Sequence, residues 1–295
     1  GTRGKRGTSS SSLEEEVSFC ITCNDHDTLL MITQNGIAYG LRAYQVPIGS
    51  RTAKGAPLPS VLPIAVDQVV TAVLPVTEFS KDEYIVLATE QGWIKKTSLE
   101  AFENISGRGL TIASLSDGDK LKWCHHCRDG DDILIGSSRG MATRFEATKL
   151  RPTGRTSRGV ISMKLRENDT IADMNVLKGS VSSGKEFVLC VTSLGYGKRV
   201  ATEEFRSTGR GRVGVIAIKF KQAVEETDRM SCFCIVNEDD EILVITAKGV
   251  MVRQKVSLIT AQTRPATGVM VQKLDEGDHI STVSLVPVYE EEDAQ

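Results

Sequence analysis

Basic side chains return at fixed places along this chain. Lys96, Arg144, Arg199 and Arg253 each stand four residues after a glycine; the first copy of the pattern has Gly40 there, with Arg42 nearby. Lys95 and Lys198 adjoin that set, and Arg51, Lys54, Arg108, Arg151, Arg155, Arg158, Arg206, Arg210, Arg212 and Arg264 crowd the stretches before a second glycine. Guanidinium and ammonium groups set among glycines suit phosphate oxygens, contacts that position a polyanion and carry no sequence readout. The sequence offers no recognition helix, zinc finger or aromatic ladder to read bases, and aromatics make up only 5% of it.

The glycines that frame these cations belong to a repeat. Gly36, Gly92, Gly140, Gly195 and Gly249 each sit between two apolar runs, as in Leu29–Ile32 before Gly36, which is a hairpin signal. A second glycine follows each at 19, 17, 19, 19 and 19 residues: Gly55, Gly109, Gly159, Gly214 and Gly268, with Gly7 as an unpaired first copy. A further strand then carries an apolar column of Val17, Val70, Leu121, Ile171, Met230 and Ile280, with apolar residues again three and six positions later. A period of about 50 residues rich in strands points to radial blades rather than two ordinary domains. The expected fold is all-β and six-bladed, the incomplete first and last copies joining to close the ring; an open solenoid is the alternative.

Charge is sorted along the unit. Between hairpin glycine and second glycine the chain holds 19 basic and 5 acidic residues, leaving 17 basic and 33 acidic elsewhere, although the net charge is only −2. The acidic runs Asp25–Asp27, Asp129–Asp132, Glu225–Asp228 and Glu238–Glu241 fall at the other end of the unit. In a radial array equivalent positions share radius and height, so the cations form a band that attracts a polyanion to one path and repels it elsewhere. Charged hairpins that merely blunt sheet edges would mix their signs.

Other motifs carry less. Cys20-x-x-Cys23 and Cys124-His125-His126-Cys127 suggest zinc, yet all four cysteines occupy apolar columns, where thiols act as small hydrophobes. Gly209-Arg210-Gly211-Arg212 lacks the phosphate-loop form. Seven cysteines, an odd number, suit a reducing compartment. No apolar run is long enough to span a bilayer, no secretory signal is visible, and the start at Gly1 fits a piece of a longer chain.

Several stretches carry a resemblance: Tyr44-Gln45-Val46-Pro47, the run from Ile64 to Phe79, and Gly195-Tyr196-Gly197-Lys198-Arg199, within the repeat layout. Over nearly its whole length the chain resembles the C-terminal DNA-wrapping domain of the DNA gyrase A protein. The family's seven-residue box, Gln-Arg-Arg-Gly-Gly-Lys-Gly, corresponds to Gly1-Thr2-Arg3-Gly4-Lys5-Arg6-Gly7. Arg3, Gly4 and Gly7 match and Arg6 keeps the charge; Lys5 replaces a glycine and Gly1-Thr2 does not match.

The resemblance implies a six-bladed β-pinwheel over residues 17–287, a box-bearing loop and linker over 1–16, and a short acidic tail over 288–295. It also implies a non-enzymatic domain that wraps duplex DNA on a basic rim, Arg3, Lys5 and Arg6 among the contacts, and presents a positive crossover for negative supercoiling. ATP and Mg2+ would serve other parts of the holoenzyme, and no cofactor or metal would bind here. The expected partners are double-stranded DNA, the remainder of the gyrase A protein and the gyrase B protein, with no membrane. The expected location is with nucleoid DNA, in bacterial cytoplasm or in a plastid or mitochondrion. The altered box keeps the terminal domain of topoisomerase IV as an alternative, beside a propeller scaffold for acidic protein partners.

Overall fold

The computed structural model describes residues 21–50, 53–179 and 186–286. The first repeat supplies β1 (Thr28–Thr33), β2 (Ile37–Arg42) and β3 (Val70–Val76), with one helical turn, α1 (Leu58–Val61), between β2 and β3. The second supplies β4 (Tyr84–Thr89), β5 (Trp93–Ser98), β6 (Leu110–Thr111) and β7 (Leu121–Cys127). The third supplies β8 (Asp132–Ser137), β9 (Met141–Glu146), β10 (Val160–Ile161) and β11 (Ile171–Leu177). The fourth supplies β12 (Glu186–Thr192), β13 (Tyr196–Ala201), β14 (Val215–Ile216) and β15 (Met230–Asn237). The fifth supplies β16 (Glu241–Thr246), β17 (Met251–Lys255), β18 (Val269–Met270) and β19 (Ile280–Leu285).

Each repeat builds an antiparallel blade around its hairpin. The long third strand returns to the hairpin's first strand as the innermost strand, and the short outermost strand comes from the next repeat. Blade 1 thus reads β3-β1-β2-β6, blade 2 β7-β4-β5-β10, blade 3 β11-β8-β9-β14 and blade 4 β15-β12-β13-β18. Blade 5 has three strands, β19-β16-β17. Borrowing a strand ties neighbouring blades together and covers most of each exposed edge.

The described residues form five blades, which corrects the expected six. The last strand, β19, pairs with β16 of its own repeat, so it completes blade 5 and leaves no half blade to be joined. The unpaired first copy supplies no strand in its described part, Ile21–Asn24. The expected boundaries at 1–16 and 288–295, the box and the acidic tail lie outside the described residues.

Hairpin chemistry repeats from blade to blade. Gly140 takes φ 83°, a conformation that favours glycine. Beside each turn a hydroxyl ends the first strand and accepts the amide just beyond the glycine, as Thr89 Oγ1 does from Trp93 at 3.1 Å and Ser137 Oγ from Met141 at 3.2 Å. An aspartate two residues before the innermost strand accepts from the turn as well. Gln91 N donates to Asp119, Arg139 N to Asp169, Leu194 N to Asp228 and Lys248 N to Asp278.

The core lies between blades. Val188 and Cys190 of β12 join a cluster with Leu134 of blade 3, while Leu189 and Val191 join one with Ile242 and Val244 of blade 5. Both faces of the first strand are therefore buried, which is why these strands read as continuous apolar runs rather than alternating ones. Blade 1 covers its other face with Leu62 and Ile64, packed on Met31 and Tyr39.

Candidate nucleic-acid interface

From the second repeat onward, each hairpin's second strand is followed by a 3-10 turn, a loop with basic residues, the second glycine and a short outermost strand, so these loops lie at the perimeter. The second glycine permits a close approach there. A Cβ on Gly159, at φ 93°, would fall on the carbonyl oxygen of Ile94 in the preceding blade. The loops are laced to the preceding blade through their backbones. Thr153 N donates to Lys96 O at 2.8 Å, Thr208 N to Arg144 O at 2.8 Å and Gln262 N to Arg199 O at 3.0 Å. They also join one another, as Gly211 N donates to Ser162 O and Lys164 N to Arg212 O.

The recurring cations four residues after the hairpin glycine turn inward. Lys96 Nζ donates to Ala147 O of blade 3 at 3.1 Å and pairs with Asp129 at 2.9 Å. Arg144 reaches Thr202 O and Phe205 O of blade 4 and pairs with Asp132 at 2.7 Å. Arg199 reaches Ile259 O of blade 5 at 2.7 Å and pairs with Glu238 at 3.0 Å. Each grips the 3-10 turn of the next blade, and the acidic runs supply its counter-ion. In blade 1 a side chain at Gly40 would collide with Ile105 O. Arg253 has no sixth blade to grip among the described residues; it pairs with Glu241 and its side chain stays 64% exposed.

Lys95 and Lys198 make a second set of latches. Lys95 Nζ donates to the carbonyl oxygens of Gly154, Arg155 and Ser157 at 3.0, 2.6 and 3.1 Å. Lys198 Nζ donates to those of Thr263, Arg264 and Ala266 at 2.7, 2.5 and 3.0 Å. Burial pulls both pKa values down to about 8, so each is an ammonium at neutral pH. Both shape the loop that carries the perimeter cations.

The remaining candidates face outward. Arg42, Lys54, Arg108, Arg151, Arg158, Arg206, Arg210, Arg212 and Arg253 are exposed, and Arg155 and Arg264 are half-buried. Five are held in place: Arg42 Nη1 donates to His26 O at 3.1 Å, Arg210 Nη1 to Ile161 O at 3.1 Å and Arg264 Nη1 to Ile216 O at 2.9 Å, Arg158 lies over the Trp93 ring, and Arg253 pairs with Glu241. Arg3, Lys5, Arg6 and Arg51 lie outside the described residues. The perimeter thus offers cations on a backbone-laced band, an arrangement whose chemistry suits phosphates.

Elsewhere the polar groups are structural. Cys124 and Cys127 are buried in the clusters between blades, with both thiols pushed up by burial, Cys127 to about 11. No group of three His, Cys, Asp or Glu suited to a metal occurs among the described residues. Polar side chains of the innermost strands stitch one to the next: Thr71 Oγ1 donates to Leu121 O at 2.9 Å and Asn175 Nδ2 to Phe233 O at 2.7 Å. Sequence reasoning missed the turn aspartates, and it named Lys95, Lys96 and Lys198 without their inward bonds to carbonyl oxygens. The aspartates had a signal, since four of them stand two residues before the apolar column.

Comparison with known proteins agrees with this architecture. The family described as DNA gyrase C-terminal domain, beta-propeller, matches residues 27–57, 83–127, 131–178, 186–226 and 240–287. The DNA gyrase A protein of Synechocystis is 39% identical over 99% of the chain and 37% of that protein. The chloroplastic/mitochondrial DNA gyrase A protein of Arabidopsis thaliana is 32% identical over 99% of the chain and 33% of that protein. The chain therefore spans about a third of the length of these relatives. Among solved structures, a DNA gyrase A C-terminal domain aligns with TM-score 0.72 and 25% identity, over 89% of this chain and 83% of that one. The C-terminal domain of a DNA topoisomerase IV aligns with TM-score 0.80 and 24% identity, over 89% and 80%. No helix among the described residues is long and apolar enough to cross a membrane. With its five hairpin repeats matched by the family and its relatives spanning nearly every residue, the chain belongs to the DNA gyrase C-terminal domain family.

Proposed function

We propose that this chain wraps duplex DNA around its basic perimeter and presents a crossover for the negative supercoiling carried out by a DNA gyrase. The observation that carries this reading is the set of outward cations on loops fixed by cross-blade latches. A rigid curved band offsets the cost of bending, which for 20–30 bp bent by 40–90° is on the order of 1–6 kcal/mol. Flexible loops would first lose conformational freedom on binding. The outward set, from Arg42 and Lys54 through Arg155, Arg158, Arg210, Arg212 and Arg264, contacts phosphates, with Arg3, Lys5, Arg6 and Arg51 extending it. Lys95, Lys96, Arg144, Lys198 and Arg199 support it from within. The partners are the rest of the gyrase A protein and the gyrase B protein, which supply strand cleavage and use ATP and Mg2+. The setting is the DNA of a bacterium, plastid or mitochondrion.

The test is to ligate nicked circular DNA with rising amounts of the chain and read the linking number after removing protein. A shift to positive values supports the chiral wrap. Binding without a shift favours a topoisomerase IV-like role that guides DNA without wrapping it. No binding at low salt overturns the reading and leaves the band to an acidic protein partner.

A further inference from the structure

The short outermost strands carry something besides charge. In three consecutive blades they expose a pair of apolar residues at matched positions: Val160 and Ile161, Val215 and Ile216, Val269 and Met270. Their exposures run from 36% for Ile216 to 50% for Met270. Burial in the core does not account for them, yet the repeat keeps the same type in the same place. Apolar side chains grouped on a surface mark a contact site.

Their neighbours identify the partner. The guanidinium of Arg210 is bonded to the backbone of Ile161, and that of Arg264 to the backbone of Ile216. Arg158 directly precedes the glycine that leads into Val160, and Arg212 stands three residues before Val215. The first two pairs are each an apolar step between cations. A protein interface of this charge would meet acidic side chains, which gain nothing from Ile or Met between them. The backbone of duplex DNA alternates phosphates with deoxyribose rings, whose C–H faces are apolar.

We propose that these pairs pack against deoxyribose edges of the wrapped duplex while the flanking arginines hold its phosphates. This rests on the DNA-wrapping reading and adds to it a non-electrostatic contact that supports the bend. Apolar side chains placed on a groove of bent DNA serve that purpose in other architectures.

The test uses the full chain and a duplex of about 40 bp with a dye at each end, so that energy transfer reports bending across a bend of the kind whose cost is elastic. Three variants are compared with the wild type: Ile161→Ser with Ile216→Ser and Met270→Ser; the milder Val160→Thr with Val215→Thr and Val269→Thr; and Arg155→Ala with Arg158→Ala. The serine variant is expected to lose about tenfold in affinity and part of the energy transfer. Its slope of log affinity against log salt should stay at the wild-type value, since every phosphate keeps its cation. The threonine variant, nearly isosteric, should shift the same way by less, and its melting curve guards against a folding defect. The arginine variant should lower the slope instead. Wild-type affinity and bending in the serine and threonine variants would overturn the proposal, as would a loss accompanied by a lower salt slope. Failure of the wild type itself to bind would overturn the wrapping reading rather than this one.

Discussion

The ammonium nitrogen of Lys95 lies 2.6 Å from the carbonyl oxygen of Arg155. A cation held inside blade 2 therefore sets the path of a loop whose own cations face outward. Lys198 repeats the relationship with Arg264 in the loop of blade 5. The charge of these lysines is spent on the loops, so in the proposed wrapping they act through Arg155, Arg158 and Arg264. Lys95→Met with Lys198→Met takes the ammonium from six loop carbonyl oxygens; those of Gly154, Ser157, Thr263 and Ala266 keep a second donor, so the loss falls on those of Arg155 and Arg264. A buried polar group left unsatisfied costs roughly 1–3 kcal/mol. The double variant is expected to melt earlier and to bind DNA more weakly. Protease cleavage inside 150–158 and 260–267 should rise before the rest of the chain opens.

Removing the outward arginines should do the reverse. Alanine at Arg155, Arg158 and Arg210 takes away perimeter charge without opening the core, so the melting temperature should hardly move. DNA affinity should fall for every sequence alike, and the salt slope should drop by about 0.9 for each phosphate no longer neutralised. Filter binding at several salt concentrations measures both.

How much of this was legible in the sequence depends on what each residue type leaves ambiguous. Gly140 and Gly159 announced the hairpin and the loop because few other residues tolerate their positive φ. The column through Leu121, Ile171 and Met230 announced the innermost strands by its spacing. The blade count did not follow, because a period fixes the length of a unit and not which hairpin the last strand joins; β19 joins its own. Lys95 and Arg158 could not be told apart as types. An ammonium that gathers carbonyls and a guanidinium that faces outward give the same signal in a charge count. Even the segregation of sign had two causes, since Asp129, Asp132, Glu238 and Glu241 pair with the inward cations and with Arg253.

Asp173 gives the chain a pH dependence. It stands on β11 near the axis with some solvent contact, and Met174 N donates to it at 2.8 Å. Desolvation by the surrounding protein raises its pKa to about 7 despite backbone hydrogen bonds that lower it. The folded chain therefore holds this proton between about pH 4 and 7 while the unfolded chain does not. Its contribution to stability is full below about pH 4 and is lost as pH rises through 7. Asp173→Asn keeps the acceptor for Met174 and removes the ionisation. That variant should gain on the order of 2–4 kcal/mol at pH 8, with little change near pH 4, and a flatter profile between them. Denaturant melts across that range decide it; equal gains at both ends would assign the effect to packing.

Arg199 and Arg253 occupy the same position in successive blades and should respond differently to the same change. Arg199 bonds Ile259 O of the next blade at 2.7 Å, pairs with Glu238 and lies over the Phe187 ring. Arg253 pairs with the partly exposed Glu241, and its own side chain is mostly in solvent. Breaking a buried, hydrogen-bonded ion pair costs roughly 3–5 kcal/mol, whereas exposed pairs contribute about 0–1 kcal/mol. Arg199 keeps 11% of its side chain exposed and Glu238 41%, so the lower end of the first range applies. Arg199→Ala is expected to cost about 3 kcal/mol and to loosen blade 4 from blade 5. Arg253→Ala should cost less than about 1 kcal/mol and show itself in the salt slope of DNA binding. Equal losses of stability from the two substitutions would mean that this position works within its own blade and that the grip on the next blade adds nothing.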